Sequence, residues 1–165
     1  MSIEVAPLLS GLSQAALRGE GRDALGRTLV RAVKAGMPQA SWAGIYWLEG
    51  SELVLGPFEG PATDHVRIPV GTGVCGTAVA EGRDQLVGDV RQRANYLACS
   101  AAVRSEVVVL VRAGGQVVGQ LDLDSERVDG FSDDDLRVLQ VLASAFGGLL
   151  GGLGRPPASR RTTAL

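Results

Sequence analysis

At 165 residues the chain is long enough for one domain with a real core, and 45% hydrophobic with 21% charged residues is ordinary globular composition. A formal net charge of −2, a pI near 5.4 and a single lysine, Lys34, exclude the basic stripe of a nucleic-acid binder. No apolar run approaches the ~18 residues of a membrane span. The longest, Val138–Leu153, is interrupted by Gln140, Ser144 and glycines, and Val5–Leu9 is a poor secretory core broken by Pro7. A cytoplasmic protein with no membrane partner is expected.

The elements follow in chain order. Val5, Leu8, Leu9 and Leu12 recur at helical spacing, as do Leu25, Leu29, Val30 and Val33 before Gly36-Met37-Pro38. Trp42–Leu48 alternates as a strand, turns at Glu49-Gly50, and returns over Leu53–Leu55 to end at Gly56-Pro57. Val66–Val70 predicts a short strand, Val74–Ala80 a short helix and Gln85–Val87 another strand. Residues 88–104 form a long connection without a clear period, the kind of segment that carries function. Glu106–Val111 and Gln116–Leu123 form a hairpin around Ala113-Gly114-Gly115. Ser132-Asp133-Asp134-Asp135 opens a helix with a capping hydroxyl and acids at its positive end. That helix carries Leu136, Leu139, Leu142 and Phe146 on one stripe and is expected to stop in the glycines that follow. The order α-α-β-β-β-α-β-β-β-α predicts an α+β domain with an antiparallel sheet and helices gathered on it. The domain is expected over 1–154, with N-terminal helices in 3–36, a core in 41–150 and a flexible tail at 155–165.

The two cysteines, Cys75 and Cys99, form no CxxC pair and no four-ligand zinc set, so no metal site is expected. Cys99 draws attention because three acids follow it in the hairpin: Glu106, Asp122 and Asp124. Asp122 and Asp124 share one face of their strand. Glu106 joins them if the connecting loop has three or five residues, and faces away if Gly114-Gly115 is a two-residue turn. Both faces of these strands are mostly apolar, so carboxylates there must be paired or protonated. Several together repel, and one then holds a proton near neutrality. A structural reading has them paired with arginines such as Arg67 or Arg104. A functional reading makes them a site beside a thiol. Trp42, Tyr46 and Trp47 belong to the core or to a pocket wall. His65, the only histidine, is not expected to act as a base. Gly71-x-Gly73-x-x-Gly76 has the form of a dinucleotide fingerprint but lacks its strand–helix–strand setting and later acid.

Taken together, Trp42-Ala43-Gly44-Ile45-Tyr46, Leu53–Phe58, Arg67–Ala78, Ala98-Cys99, Ser105–Val108 and Leu121-Asp122-Leu123-Asp124-Ser125 resemble the free methionine-(R)-sulfoxide reductases, GAF-domain enzymes. The resemblance runs from about Ser41 to the last helix. It implies a GAF-like six-stranded antiparallel sheet with helices packed on it, and reduction of free methionine (R)-sulfoxide with Cys99 as the attacking thiol. Glu106, Asp122 and Asp124 would hold substrate, with Glu106 and Asp124 in catalytic roles, and Trp42 and Tyr46 would wall the sulfoxide methyl. It further implies a cytosolic homodimer with no bound cofactor, recycled by thioredoxin and so indirectly by NADPH. The chain departs from the family pattern at His65, where a resolving cysteine is common, and at Ser100, where an acid follows the catalytic cysteine. Cys75 as resolving thiol, direct reduction by thioredoxin or a small thiol, and loss of turnover remain open. The rival reading is a non-catalytic GAF module binding a small amino-acid-like ligand, against which 165 residues leave no room for an output domain.

Overall fold

In the computed structural model, which describes residues 3–97 and 100–153, the elements follow the predicted order. They are α1 (Val5–Leu17), α2 (Arg22–Gly36), β1 (Trp42–Glu49), β2 (Glu52–Glu59), β3 (Arg67–Pro69), α3 (Gly73–Glu81), β4 (Gln85–Val87), β5 (Ser105–Ala113), β6 (Gln116–Ser125) and α4 (Asp133–Gly152). The six strands form one sheet in the order β3-β2-β1-β6-β5-β4, with every neighbouring pair antiparallel. The expected tail at 155–165 lies outside the described residues.

Strand alternation sorts the core into two layers. Ala43, Ile45, Trp47, Val107, Val109, Val111, Leu121 and Leu123 point to one face, where they meet Leu12, Leu25, Leu29, Leu139, Leu142 and Phe146 from α1, α2 and α4. Trp42, Tyr46, Val108 and Leu110 point to the other, where α3 and its neighbouring loops supply Val74, Cys75, Ala78, Val90 and Val103. On the first face Trp47 Nε1 donates to Asp23 at 2.8 Å and the Arg22 guanidinium stacks 4.7 Å from the Trp47 ring centre, fixing α2 on β1. Ser132 and Asp135 complete a reciprocal capping box at the start of α4. No helix among the described residues is long and apolar enough to cross a membrane.

Two expectations are corrected. β2 does not stop at Gly56-Pro57 but continues to Glu59. Its register against β1 steps between Gly44 and Tyr46, and β3 pairs only with Glu52–Val54, so Pro57 falls at a bulge beyond the inner ladder, where a missing N–H is tolerated. α4 ends, as expected, in the glycines after Phe146, at Gly152, with Gly147 and Gly148 inside the helix. A Cβ on Gly147 would stand 2.0 Å from the Arg112 carbonyl oxygen, so this glycine lets α4 lie against β5 and serves packing, not termination.

The second correction concerns register. Gly114 and Gly115, both at positive φ, make a two-residue turn in which Ala113 faces Gln116. Such a turn alone would send Glu106 to the face opposite the aspartates. Between Val111 and Arg112 the ladder steps, however: Arg112 faces Val117 while Val111 faces Gly119. Val118 is the extra residue of a β-bulge. Beyond it Glu106 stands directly across from Asp124, and the three acids share one face.

Candidate active site

The bulge determines what the second face presents. Glu106 on β5 and Asp122 and Asp124 on β6 all point toward α3, and all are at most 5% exposed. Cys75, in the first half of α3, meets them: its Sγ lies 3.7 Å from Glu106 Oε1, positioned for the thiol to donate. One oxygen atom from each of Glu106 and Asp122 and the Cys75 sulfur lie within 4.8 Å of one another. The sequence placed Cys99 among these acids; Cys99 lies outside the described residues, and Cys75 is the thiol seen there.

Burial dominates the electrostatics. It raises Glu106 well above the usual carboxylate range, and the charges of Asp122 and Asp124 raise it further. Burial also lifts Asp122, to about 7, while hydrogen bonds from Cys75 and Glu106 partly stabilise its ionised form. Asp124 is raised well by burial and by Asp122, and Cys75 by burial and then the acids. The directions fit one protonation order: Glu106 keeps its proton and donates, Asp122 accepts. The pairing with Arg67 or Arg104 does not form. Arg67 pairs with Glu52 at 3.0 Å and Arg104 with Asp89 at 3.2 Å.

Trp42 lies on this face over Gly44, where any Cβ would come within 2.2 Å of the indole, and Gly44 is the cross-strand partner of Asp122. The Trp42 ring stacks on Phe58 at 5.7 Å and approaches Tyr46 at 6.2 Å. Tyr46 is fully buried and donates its hydroxyl to the His65 carbonyl at 2.9 Å, so the loop carrying His65 is tied to this wall through its backbone. A cavity of about 260 Å³ opens beside the cluster, lined by Ser41, Trp42, Thr63, Ser100, Val103, Asp124 and Glu126 among others. A wider groove of about 540 Å³ adjoins it at Ser41 and Glu126, and another of about 520 Å³ lies over Trp47 and Pro57 on the far side. Neither wider groove is lined by any of the buried acids.

Sequence reasoning missed several contributors. Phe58 completes the aromatic wall; it sits across from Gly44, a register that the β2 bulge hid. Gln120 is fully buried with both amide atoms unpartnered among the described residues, on the same face as Asp122 and Asp124. Its even spacing with those acids was the available signal. Asn95, within the long connection, accepts from Gly73 N–H and donates to the Gly71 carbonyl, fastening that segment to the turn before α3. The glycine string is this turn, in a sheet with no parallel pair, as its rejection as a nucleotide fingerprint requires.

A family model described as GAF domain matches residues 20–150. The chain is 46% identical over 104 residues to the free methionine-R-sulfoxide reductase of Escherichia coli (strain K12), an alignment spanning 63% of this chain and 62% of that protein, under two thirds of its length. It superposes on the free methionine-R-sulfoxide reductase of Neisseria meningitidis in complex with its substrate at a TM-score of 0.79 and 34% identity, covering 87% of this chain and 86% of that one. The reduced form of the fRMsr of Staphylococcus aureus matches at a TM-score of 0.80 and 35% identity, covering 90% and 96%. With the sheet order, the family match and these superpositions in agreement, the chain belongs to the GAF-domain family, within the group of the free methionine-R-sulfoxide reductases.

Proposed function

We propose that this protein reduces free methionine (R)-sulfoxide to methionine, with Cys99 as the attacking thiol. The observation that carries the reading is the buried Glu106–Asp122–Asp124 cluster beside a small cavity walled by Trp42. Reduction of a sulfoxide needs a proton on its oxygen as sulfur is attacked, and a carboxyl kept neutral by burial supplies one. Glu106 fills that role, and Asp124, which lines the cavity, helps hold the substrate. An ionised acid of the cluster pairs with the α-ammonium, which methionine within a peptide chain lacks. Cavity volume favours a single free amino acid over a polymer.

In the first step the Cys99 thiolate attacks the sulfoxide sulfur as Glu106 protonates its oxygen; the hydroxyl then passes to the Cys99 sulfur as the substrate S–O bond breaks, leaving methionine and a cysteine sulfenic acid. A second thiol then attacks the sulfenic sulfur, water leaves with the oxygen, and a disulfide remains for an external dithiol to reduce. Cys75 is our candidate for the second thiol. Its Glu106 neighbour offers a base once the proton there has gone to the substrate, which offsets the burial that holds Cys75 protonated. Thioredoxin as the dithiol, a homodimer and a cytoplasmic setting complete the proposal, on the strength of the family resemblance.

The test follows loss of free methionine (R)-sulfoxide by chiral chromatography, with dithiothreitol and separately with thioredoxin. The parent turns over with both, and Cys99→Ser with neither. A Cys75→Ser protein that keeps full thioredoxin-driven turnover would exclude Cys75 as a required resolving thiol. No turnover in the parent, with methionine sulfoxide still bound, would establish the binding-module reading that His65 raises.

A further inference from the structure

The same face carries a donor set that the sequence spacing gave no reason to expect. Cys75 on α3, Glu106 on β5 and Asp122 on β6 come from three elements and lie 31 and 47 positions from the thiol in the chain, yet one ligand atom of each falls within 4.8 Å of the others. A Zn–S bond of ~2.3 Å and a Zn–O bond of ~2.1 Å, set at the tetrahedral angle, place the two ligand atoms about 3.6 Å apart. The Cys75 Sγ to Glu106 Oε1 distance is 3.7 Å. This pair already stands at the edge length of a tetrahedral site, and an Asp122 oxygen lies within 4.8 Å of both.

A separate side chain shows what the cluster lacks. Asp124 is 2% exposed, its Oδ1 has no hydrogen-bond partner among the described residues, and it stands directly across from Glu106. The Asp122 oxygen Oδ1, on a side chain 1% exposed, is likewise without a partner among the described residues, and the charge of Asp124 acts on both Cys75 and Glu106. The ion pairs among the described residues engage other acids. A buried set of one thiol and three carboxyls is held neutral either by protons or by a cation that displaces them. A thiolate among oxygen ligands selects a borderline-soft ion over Mg²⁺ or Ca²⁺.

We propose that Cys75, Glu106 and Asp122 form a coordination site for a thiophilic divalent cation of the Zn²⁺ type, with the Asp124 carboxyl on the same face of the sheet adding negative charge. Binding releases protons from the thiol and carboxyls to solvent and leaves oxidation states unchanged. Because the cation and a bound amino acid need the same carboxylates, each excludes the other.

Cobalt is the probe, added to the fully reduced full-length chain. The expected result is one Co²⁺ per chain, with a thiolate-to-cobalt charge-transfer band in the near ultraviolet and proton release into unbuffered solution. The band persists in Cys99→Ser and disappears in Cys75→Ser. Glu106→Gln, close in shape to the parent and checked for folding by circular dichroism, weakens binding at least about tenfold. Excess Zn²⁺ removes the band and excess Mg²⁺ does not. Absence of the band in the parent, its loss in Cys99→Ser with retention in Cys75→Ser, unchanged affinity in folded Glu106→Gln, or displacement by Mg²⁺ would each overturn the assignment. None of these readouts uses turnover, so their failure leaves the proposed reductase activity standing, and failure of that activity leaves the cation site standing.

Discussion

Trp42 and Trp47 stand five residues apart on one strand and face opposite sides of the sheet, and their surroundings differ as the two sides do. Trp47 is packed among the residues of α2 and α4, and its indole N–H is satisfied by Asp23 at 2.8 Å. Trp42 is also buried, but its indole nitrogen has no partner among the described residues. The same holds for an oxygen of Asp122, an oxygen of Asp124 and both amide atoms of Gln120. Each buried polar atom left unmade costs about 1–3 kcal/mol. One face of the sheet thus stabilises the fold, while the other holds polar groups ready for a ligand at a cost the first face offsets.

The sharpest way to break the stabilising face is to hollow it. Phe146 is fully buried at the centre of that layer, its ring 6.2 Å from Trp47. Phe146→Ala removes an aromatic side chain from a packed interior and is expected to lower unfolding free energy by about 3–5 kcal/mol. Urea denaturation reads this out. Turnover per folded molecule should stay near the parent value, because no atom of the acid face moves. An equal loss of specific activity at full folding would show the two faces to be coupled rather than separate.

Glu106→Gln is the complementary break. The amide keeps the shape and a hydrogen-bond donor but cannot give up a proton. Turnover is expected to fall by at least about 10²-fold, the usual contribution of a placed general acid. Stability at neutral pH should hold or rise, since the fold no longer buries an ionisable group among like charges. A variant that loses stability and keeps turnover would make Glu106 a structural residue.

These two faces were unequally legible in the sequence. The helical stripe of α4 with Leu139, Leu142 and Phe146 was visible as periodicity, and its start was visible in Ser132 and the acids after it, because caps and amphipathic faces are local. The identity of the acids was also plain. Their meeting was not, because it depends on Val118, an ordinary valine whose extra place in the ladder reverses the parity set by the Gly114-Gly115 turn. A bulge leaves little trace in residue type when neither of its residues needs positive φ. Cys75 was hidden for a different reason. It lies in a short helix of small residues with little amphipathic pattern, so nothing local said that α3 would set its thiol against β5 and β6. Contacts made by three elements distant in the chain are tertiary facts, and only the fold supplies them.

The smallest effect is also the most diagnostic, because it follows protons rather than substrate. Burial lifts Asp122 in the folded protein to about 7, from an ordinary value near 3.8. Between those two values the folded state holds a proton that the unfolded chain has released. Stability from this group therefore falls as pH rises through the window, by at most about 1.4 kcal/mol per pH unit, and levels off above it. The sign is opposite to that of Asp89, whose hydrogen bond from Arg104 lowers its pKa and whose contribution is lost as pH falls. Asp122→Asn removes the first dependence and leaves the second untouched. The difference in urea midpoint between variant and parent should grow in favour of the asparagine protein from about pH 4 to about pH 7 and then flatten. A difference that stays constant across that range would mean that Asp122 is ionised throughout, and the acid face would then need a cation, from substrate ammonium or metal, before it could fold as it does.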